Sequence, residues 1–461
     1  MHSGEGGANR ASNEFSRRDF LKTAAGASGA VLAGGLARNF AYAAGGSDKL
    51  RIGLVGCGGR GKGAVDNCLE SAPNVELWAV GDLFQDKAES ARRLFLGLPD
   101  KPAGTQPIGK LLSKITGTQP TQPAKKFRFI DKVKIEDRCY WGFDNCQKVI
   151  DSGVDIVLLT TPPGFRPIHM QAAIEANKHV FAEKPVAVDP AGVRSVIATS
   201  ELAARKKLSI VAGTQSRHHA LRIETVKRIH DGDIGDIVAG QCYYFTGGLW
   251  VVQRKPEMSD MEWQCRNWLY FTWLSGDHIV EQHVHNLDVM NWVMKAHPVN
   301  AIAMGGRQAR TGPEYGNIFD HFAVEYEYPG GVRVTSMCRQ TEKATTRIGE
   351  NIVGTKGTAN PAGSITGEKT WKFEGKAANP QVQEHTDLIE GIRKGEPLNE
   401  GLRIAESSMT AILGRMSAYT GRELGWNWAM NTSKLDLVPK EFNMGPLPVE
   451  PVAIPGKTPL I

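Results

Sequence analysis

The sequence predicts an α/β protein, with a doubly wound parallel sheet in its N-terminal half and an α+β domain with a large open, mostly antiparallel sheet in its C-terminal half. Two observations predict the parallel sheet. The apolar strand "LRIGLV" runs directly into a glycine-rich turn, and short apolar strands then alternate with helical segments. In the second half longer strands follow one another, and the glycines of "YEYPGGVRV" signal a hairpin. Strands joined by hairpins pair antiparallel, so the two halves differ in architecture.

The chain opens with a predicted targeting segment, which we exclude from the fold. Residues 16–22 read "SRRDFLK", an apolar run follows at 24–37, and "AYA" at 41–43 offers a small-residue cleavage site. We therefore predict a twin-arginine signal over residues 1–43, export of the folded protein and a periplasmic location. A disordered basic N-terminus and an uncleaved membrane anchor are the alternatives.

Composition excludes several classes of protein. Of the 461 residues, 41% are hydrophobic and 23% charged, as in ordinary globular chains. The net charge of +6 is spread along the chain without a basic block, so a nucleic-acid partner is not predicted. No later segment is long and apolar enough to cross a bilayer, which predicts no stable membrane insertion after signal removal. The seven cysteines form no C-x-x-C pair, and their odd number predicts at least one free thiol.

Composition shifts and turn signals predict the domain boundaries. The signal is followed by a nucleotide-type α/β domain at 44–185, whose Pro-, Gly- and Thr-rich stretch at about 96–137 reads as a surface insertion. The α+β domain spans 186–430, and the Pro-rich end, 431–461, forms an extended arm. In the α+β domain we predict helices at 189–207 and 220–232, and strands at 209–215, 236–247, 299–310, 319–328 and 331–339.

The glycine-rich turn predicts a dinucleotide site. Gly56, Gly58 and Gly61 have the G-x-G-x-x-G spacing, with Gly59 and Arg60 completing the loop. The first glycine permits the tight turn, the second lets the backbone approach a pyrophosphate, and the third lets the following helix pack closely. A strand precedes the motif and a helix at 62–72 follows it, which is the context that the Rossmann fold requires.

Asp82 ends the next strand, 24 residues after Gly58. A carboxylate there accepts hydrogen bonds from the ribose hydroxyls and repels a 2′-phosphate, which favours NAD over NADP. The alternative is a helix N-cap for the segment "FQDKAES".

Later strand ends supply further candidates, because ligands of such sheets lie beyond the carboxyl ends of the strands. Thr161, Pro162 and Pro163 follow the apolar strand "VDIVLL", and Glu183 and Lys184 follow the next strand, "HVFA". We predict that all five line the cofactor site.

The residues quoted so far, in this order along the chain, resemble the Gfo/Idh/MocA family of nicotinamide-dependent sugar and polyol oxidoreductases. The resemblance covers roughly residues 49–296, through "GLVGCGGRG", "TTPP", "HMQAAIEANKHVFAEKP", "GTQSRHHALRIETVKRIHDGDIGDI" and "EQHVHNLDVMNW". It implies a substrate domain after the Rossmann domain, and a homo-oligomer, dimer or tetramer, formed through the open sheet face. It also implies that Lys184 lies beside the nicotinamide and the reacting hydroxyl and is followed by a proline that is commonly cis.

The resemblance also implies the other catalytic residues. It places His285 as the general base, a role that suits imidazole because it titrates near neutral pH. Glu281 stands where the family usually has aspartate, and would orient His285 or bind a substrate hydroxyl. With His278 and His283, these residues also suggest a metal site, but no clear fourth ligand exists, so we predict a polar pocket lining and no metal.

Substrate contacts are predicted from aromatic, basic and acidic side chains near this segment. Aromatic faces stack on sugar rings, and charged side chains bind hydroxyls or carboxylates. The predicted substrate-binding residues are Arg217, His218, Trp273, His283 and Asp288. Core or interface packing is the alternative for the tryptophan-rich segment that contains Trp273.

Three functions remain open from the sequence. The first is an oxidoreductase that transfers hydride between a tightly bound NAD and a sugar, polyol or related carbohydrate; the tight binding is expected because free NAD is scarce outside the cytoplasm. The second is an NAD-dependent glycoside-cleaving enzyme that oxidises a ring hydroxyl transiently and eliminates the aglycone. The third is a non-catalytic ligand-binding relative, since a fold does not settle function.

Overall fold

The computed structural model describes residues 48–99 and 127–461, together with the backbone of a two-residue strand, β1 (Phe15–Ser16). The rest of the predicted signal, its cleavage site and the greater part of the predicted insertion lie outside the described residues. Across the described ranges, none of the helices is both long and apolar enough to cross a bilayer. All seven cysteines are described and none is in a disulfide, which confirms the predicted free thiol.

The first sheet has six parallel strands in the order β4-β3-β2-β5-β6-β7. Its strands are β2 (Leu50–Val55), β3 (Val75–Asp82), β4 (Cys139–Trp141), β5 (Ile156–Leu159), β6 (His179–Ala182) and β7 (Ile210–Ala212). This is the doubly wound order, which reverses between β2 and β5. The glycine turn after β2 therefore lies at the reversal point, where such sheets open a crevice for ligands.

Helices cover the parallel sheet because its strands are apolar on both faces. They are α1 (Gly59–Ser71), α2 (Gln85–Phe95), α3 (Asn145–Asp151), α4 (Arg166–Glu175) and α5 (Pro190–Lys206). Asp189 begins α5 by accepting a hydrogen bond from the backbone N–H of Gly192 at 2.7 Å. A helix from much further along the chain, α11 (Pro380–Lys394), packs against α1 and adds Leu388 and Ile389 to the same core.

The second sheet has nine strands in the order β15-β14-β13-β12-β8-β11-β10-β9-β16. Only the β8–β11 pair is parallel, which confirms a separate, mostly antiparallel sheet. The strands are β8 (Ile237–Thr246), β9 (Asn300–Gly306), β10 (His321–Glu327), β11 (Arg333–Gln340), β12 (Arg347–Gly354), β13 (Gly357–Asn360), β14 (Ser364–Gly367), β15 (Trp371–Lys372) and β16 (Leu424–Gly425). Gly330 and Gly331, with φ of +83° and +79°, form the predicted hairpin between β10 and β11.

Within the described residues, helices pack on one face of this sheet. Those described after β7 are α6 (Ala220–His230), α7 (Asp260–Arg266), α8 (Thr272–Ser275), α9 (His278–Glu281), α10 (Val284–Met294), α11 (given above), α12 (Gly401–Thr420) and α13 (Trp426–Asn431). The other face leaves large apolar side chains in solvent, with Ile302 and Met304 exposed by 50% and 76%. The predicted open face is therefore present.

The C-terminal arm runs back over the chain's own first half. Its backbone is held by hydrogen bonds from the N–H of Leu437 to Asp189 Oδ2 (2.8 Å) and from the N–H of Leu447 to Asp260 Oδ2 (3.1 Å). Between these anchors lies β17 (Glu441–Phe442), which pairs antiparallel with β1. The arm thus packs on its own subunit, an outcome that the sequence left open.

Candidate active site

The glycine turn has the geometry that a bound pyrophosphate needs. Gly56 has a φ of +99°, a left-handed conformation that favours glycine. A Cβ on Gly61 would lie 2.0 Å from the carbonyl oxygen of Gly56, so this glycine is needed for close helix packing. At Gly58 and Gly59, in contrast, a Cβ would meet nothing within 4 Å, so both face open space. No side chain caps the first turn of α1, which leaves its amides available to an anion.

Asp82 is 9% exposed at the end of β3 and binds the backbone of both neighbouring loops. Its Oδ2 accepts from the N–H of Cys57 at 2.7 Å and its Oδ1 from the N–H of Phe84 at 2.9 Å. Burial raises the pKa of Asp82, and these two amides oppose that rise. The N-cap of α2 is Phe84, so the alternative role of Asp82 as the cap residue of that helix does not apply.

Arg60 projects from the glycine turn between two carboxylates. Its guanidinium pairs with Glu183 at the end of β6 and, through Nη2, with Glu384 Oε1 of α11 at 3.1 Å. Glu384 is fully buried, and burial together with the nearby Glu183 charge raises its pKa well above the usual value. Sequence reasoning missed Glu384, because it lies on a distant helix without a motif.

The loop after β5 contains Thr161, Pro162 and Pro163. It lies on the side of the glycine turn away from β3. The hydroxyl of Thr160, one residue earlier, donates to the carbonyl of Gly56 at 2.6 Å and ties the two loops together. Thr161 Oγ1 lies 3.3 Å from His169 Nδ1. The structure therefore brings the predicted cofactor residues of β2, β3, β5 and β6 to one edge of the sheet.

Lys184 and Glu281 meet across the two domains. The Lys184–Pro185 peptide bond is cis, as the resemblance implies. Lys184 Nζ donates to Glu281 Oε1 at 2.9 Å and to the backbone carbonyl of the same residue. Both side chains are 13% exposed, so the pair is largely buried but still reaches solvent. In this structure Glu281 holds Lys184, whereas the sequence predicted that it orients His285 or binds a hydroxyl.

His285 is half-buried at the start of α10, and its Nδ1 has no partner in the described part of the chain. Burial lowers the pKa of His285 to about 3, and the Lys184 ammonium contributes to that shift. The imidazole is therefore neutral at physiological pH and can accept a proton, but its lowered pKa makes it a weaker base than the near-neutral imidazole that the sequence predicted. Lys184, Glu281 and His285 thus supply a cation, a carboxylate and a neutral base close together.

Two further residues border this group and were missed by sequence reasoning. Tyr244, on β8, has its pKa raised by burial and by the Glu281 charge. Arg222, on α6, donates to Glu350 Oε2 at 3.0 Å and helps to lower the pKa of His285. Neither belongs to a local pattern, since a strand of the second sheet and a separate helix bring them together.

The structure does not bring two of the predicted substrate residues to the cleft. Asp288 is fully buried and accepts from Arg217 Nε at 2.8 Å and Arg403 Nη1 at 3.1 Å. Burial alone would raise the pKa of Asp288, but these guanidiniums hold it at about 2. His283 has no exposed surface, and its Nε2 lies 2.7 Å from Ser336 Oγ. Both side chains are instead part of the packing beneath α10.

His218 and Trp273 are also engaged internally. His218 Nδ1 lies 2.5 Å from Asp387 Oδ2; although burial lowers its pKa, Asp387 and Glu400 raise it to about 9. Trp273 donates from Nε1 to Gln264 Oε1 at 2.7 Å and sits in an aromatic cluster, as the packing alternative expected.

The candidate metal ligands do not converge either. His278 Nδ1 lies 2.9 Å from Asp277 Oδ1 in the core, while His283 pairs with Ser336 and Glu281 with Lys184. Within residues 48–99 and 127–461, no three His, Cys, Asp or Glu side chains are placed to share an ion.

A doubly wound sheet with a glycine turn at its reversal point, joined to a second, mostly antiparallel sheet, is the architecture of a two-domain dinucleotide-binding oxidoreductase. The chain belongs to the GFO/IDH/MocA oxidoreductase family. Residues 111–212 match the model of the oxidoreductase family's NAD-binding Rossmann fold, and residues 223–360 match the GFO/IDH/MocA C-terminal domain. Residues 14–34 match the twin-arginine translocation signal, which confirms the predicted export signal.

Curated relatives support this membership over part of their length. Inositol 2-dehydrogenase 3 of Saccharopolyspora erythraea is 22% identical over 285 residues, covering 62% of this chain and 65% of the relative. The 2,7-anhydro-N-acetylneuraminate hydratase of Escherichia coli is 27% identical over 185 residues, covering 40% and 45%. The 1,5-anhydro-D-fructose reductase of Ensifer adhaerens is 26% identical over 234 residues, covering 47% and 62%. The chain thus spans about half to two thirds of the length of these relatives.

Solved structures show the same fold. The aldose–aldose oxidoreductase of Caulobacter crescentus superimposes with a TM-score of 0.58 at 18% identity, covering 82% of this chain and 99% of that one. The WlbA dehydrogenase of Bordetella pertussis, solved with NADH and UDP-GlcNAcA, gives a TM-score of 0.55 at 18% identity, covering 82% and 98%.

Proposed function

We propose that the protein is an NAD-dependent oxidoreductase that transfers a hydride between a tightly bound nicotinamide and a sugar, a polyol or a related carbohydrate. The observation that carries this proposal is the meeting of Lys184, Glu281 and His285 beside the strand ends that face the glycine turn. A nicotinamide bound there supplies the hydride chemistry. Relatives named as inositol dehydrogenases and as a sugar reductase support a polyol or sugar substrate.

Three side chains of the protein stabilise charge and transfer the proton: Lys184, Glu281 and His285. The Lys184 ammonium lies where it stabilises negative charge on the reacting oxygen, and Glu281 restrains it there. The neutral His285 takes the hydroxyl proton in oxidation and returns it in reduction. The presence of both Lys184 and His285 supports an enzyme rather than a non-catalytic relative.

Export supports a retained cofactor and a periplasmic location. The twin-arginine pathway carries folded proteins, so a nucleotide bound in the cytoplasm travels with its protein. Because free NAD is scarce outside the cytoplasm, the proposed enzyme regenerates its cofactor in place, with a second substrate or through a redox-neutral reaction.

Mass spectrometry of the denatured protein tests this proposal, since a tightly bound nicotinamide is released and identified on unfolding. A panel of inositols and aldoses, offered alone and in pairs, then identifies donor and acceptor. Added NAD at a hundred times its Kd stabilises a folded protein by about 2.7 kcal/mol. Absence of any nicotinamide, together with an unchanged thermal midpoint in added NAD, would refute the proposal.

A redox-neutral reaction remains the second candidate, because one relative is named as a hydratase and hydration leaves the substrate's oxidation state unchanged. In the glycoside-cleaving version, transient ring oxidation acidifies the neighbouring C–H and permits elimination. Release of an aglycone from a chromogenic glycoside without net NADH formation distinguishes it from dehydrogenation.

The proposed role of Asp82 in selecting NAD predicts how Asp82→Asn changes nucleotide affinity. This change keeps the side-chain volume and one acceptor oxygen but removes the charge that repels a 2′-phosphate. We expect the ratio of NADP to NAD affinity to rise about tenfold, corresponding to ~1.4 kcal/mol. Titration of both nucleotides checks this, with Asp86→Asn on the exposed start of α2 as the matched control. An unchanged ratio would contradict the ribose role.

The glycine turn predicts opposite behaviour for two alanine substitutions. Gly61→Ala places a Cβ against the Gly56 carbonyl, so we expect destabilisation of about 1–3 kcal/mol even without nucleotide. Gly58→Ala meets open space, so the nucleotide-free protein keeps its stability, and only nucleotide affinity falls. Denaturant unfolding and nucleotide titration separate the effects; equal loss of stability in both variants would contradict the assignment of Gly58 to the ligand.

The open face of the nine-stranded sheet supports a homo-oligomer. Ile302 and Met304 lie on it as exposed apolar side chains, a feature typical of interaction surfaces. Sedimentation of the protein and of Met304→Lys checks this proposal, since a charge in an apolar interface dissociates it.

A further inference from the structure

The C-terminal arm inserts one aromatic side chain at the ends of the parallel strands. Phe442 is 3% exposed although it belongs to an extended segment without a helix. Its ring centroid lies 5.6 Å from that of Phe143, nearly parallel at 19°, and 5.4 Å from that of Phe165. These distances are those of favourable aromatic pairs.

The partners of Phe442 lie in the loops that face the cofactor. Phe143 comes two residues after β4, and Phe165 ends the turn that begins at Pro163 after β5. Phe84, next to the Asp82 loop, belongs to the same apolar cluster. The loops after β3, β4 and β5 all lie at the edge of the sheet that carries the glycine turn, with those after β3 and β4 on the Asp82 side of that turn and the loop after β5 across it. Phe442 therefore lies at the adenosine end of the proposed cofactor site.

Hydrogen bonds hold the arm on both sides of this position. Before Phe442, the N–H of Leu437 donates to the Asp189 carboxylate. After Phe442, the N–H of Leu447 donates to the Asp260 carboxylate, and Gln264 Nε2 donates to the Leu447 carbonyl at 2.6 Å. Asp260 lies at the start of α7. The segment between these anchors belongs to neither of the two large sheets; it pairs with β1, and the N–H of Met261 donates to the Gly445 carbonyl at 3.2 Å. It can therefore separate from the strand ends without unfolding either large sheet.

We propose that the arm is a latch on the cofactor cleft, with Phe442 as the side chain that closes its adenosine end. This inference rests on the proposed NAD-dependent function. It gives that function a structural means of retention, because a nucleotide enters or leaves only when the arm opens. A latch slows both binding and release, whereas a simple contact slows release alone.

Two variants of the full chain open the latch from different sides. Phe442→Ala removes the ring, and Asp260→Ala removes an anchor without touching the cleft. Met444→Ala is the matched control, because Met444 lies on the same arm and is 45% exposed. Stopped-flow NADH fluorescence measures binding, and chase with excess NAD measures release. We expect both rates to rise at least tenfold in the two variants and to stay unchanged in the control.

The possible outcomes are distinct. Wild-type rates in both variants, with NADH still bound, would overturn the latch and leave the proposed function standing. Faster release with unchanged binding would make Phe442 an ordinary contact and also overturn the latch. Phe442→Leu, which keeps an apolar side chain, checks that the effect of the alanine variant is not partial unfolding: binding and release both faster than in the wild type, at an unchanged thermal midpoint, support the latch. A wild-type chain that binds no nicotinamide would refute the proposed function and the latch with it.

Discussion

Replacing Lys184 by methionine is expected to lower turnover by about a hundred- to a thousandfold while the cofactor stays bound. The ammonium is the positive charge that the structure places beside Glu281, and loss of one such preorganised group has this order of effect. Methionine keeps the length of the stem, so packing changes little. Steady-state kinetics with the carbohydrate substrate, together with the amount of nicotinamide per chain, measures the two effects separately.

The same substitution is also expected to change the pKa of His285. Burial lowers the pKa of His285 to about 3, and the Lys184 charge adds to that effect. Without the ammonium the pKa of His285 rises, so the acid limb of the pH–rate profile moves to higher pH. An NMR titration of His285 checks the direction.

Lys227→Met is the control, because Lys227 lies on the solvent face of α6 and its substitution leaves turnover unchanged. A Lys184→Met protein that loses its cofactor, or one in which the pKa of His285 stays in place, would contradict the proposed position of the ammonium.

Replacing His285 by asparagine is expected to lower turnover by about a hundred- to ten-thousandfold, the range for loss of a general base. The asparagine fills most of the imidazole volume but cannot take up a proton. Because His285 is not expected to bind the nucleotide, cofactor content and thermal midpoint stay near those of the wild type. Single-turnover measurement of nicotinamide reduction isolates the chemical step.

His283→Gln gives the contrasting control from two residues away. His283 is buried against Ser336, so its substitution costs about 1–3 kcal/mol of folding stability. It should leave the chemical step intact in the protein that remains folded. If His283→Gln abolished the chemical step and His285→Asn did not, the assignment of the base would be reversed.

The nucleotide half could be predicted from the sequence because its signals are local. A buried parallel strand is apolar throughout, and the turn between Gly56 and Gly61 needs glycines for reasons of backbone geometry alone. The prediction therefore found the strand, the turn and the helix, although α1 begins at Gly59 and not at residue 62. The hairpin at Gly330 was predictable for the same reason.

Residue types near the cleft did not show which side chains face it. Arg217 and Asp288 have the chemistry of substrate ligands, yet they bind each other, and Asp288 also accepts from Arg403, which lies 115 residues beyond it. His218 pairs with Asp387 in the same way. In the sequence, a charged residue in a motif looks the same whether it binds a sugar or a guanidinium from another helix.

The sequence by itself determined the family, the export signal, the two sheet types and the residues at the strand ends, because each depends on the order and spacing of nearby residues. Only the tertiary structure decided that Glu281 holds Lys184, that α11 brings Glu384 to Arg60, and that the arm lays Phe442 over the strand ends. These contacts join segments about 100 to 320 residues apart. Their formation depends on how the two sheets and the arm pack, which no local spacing records.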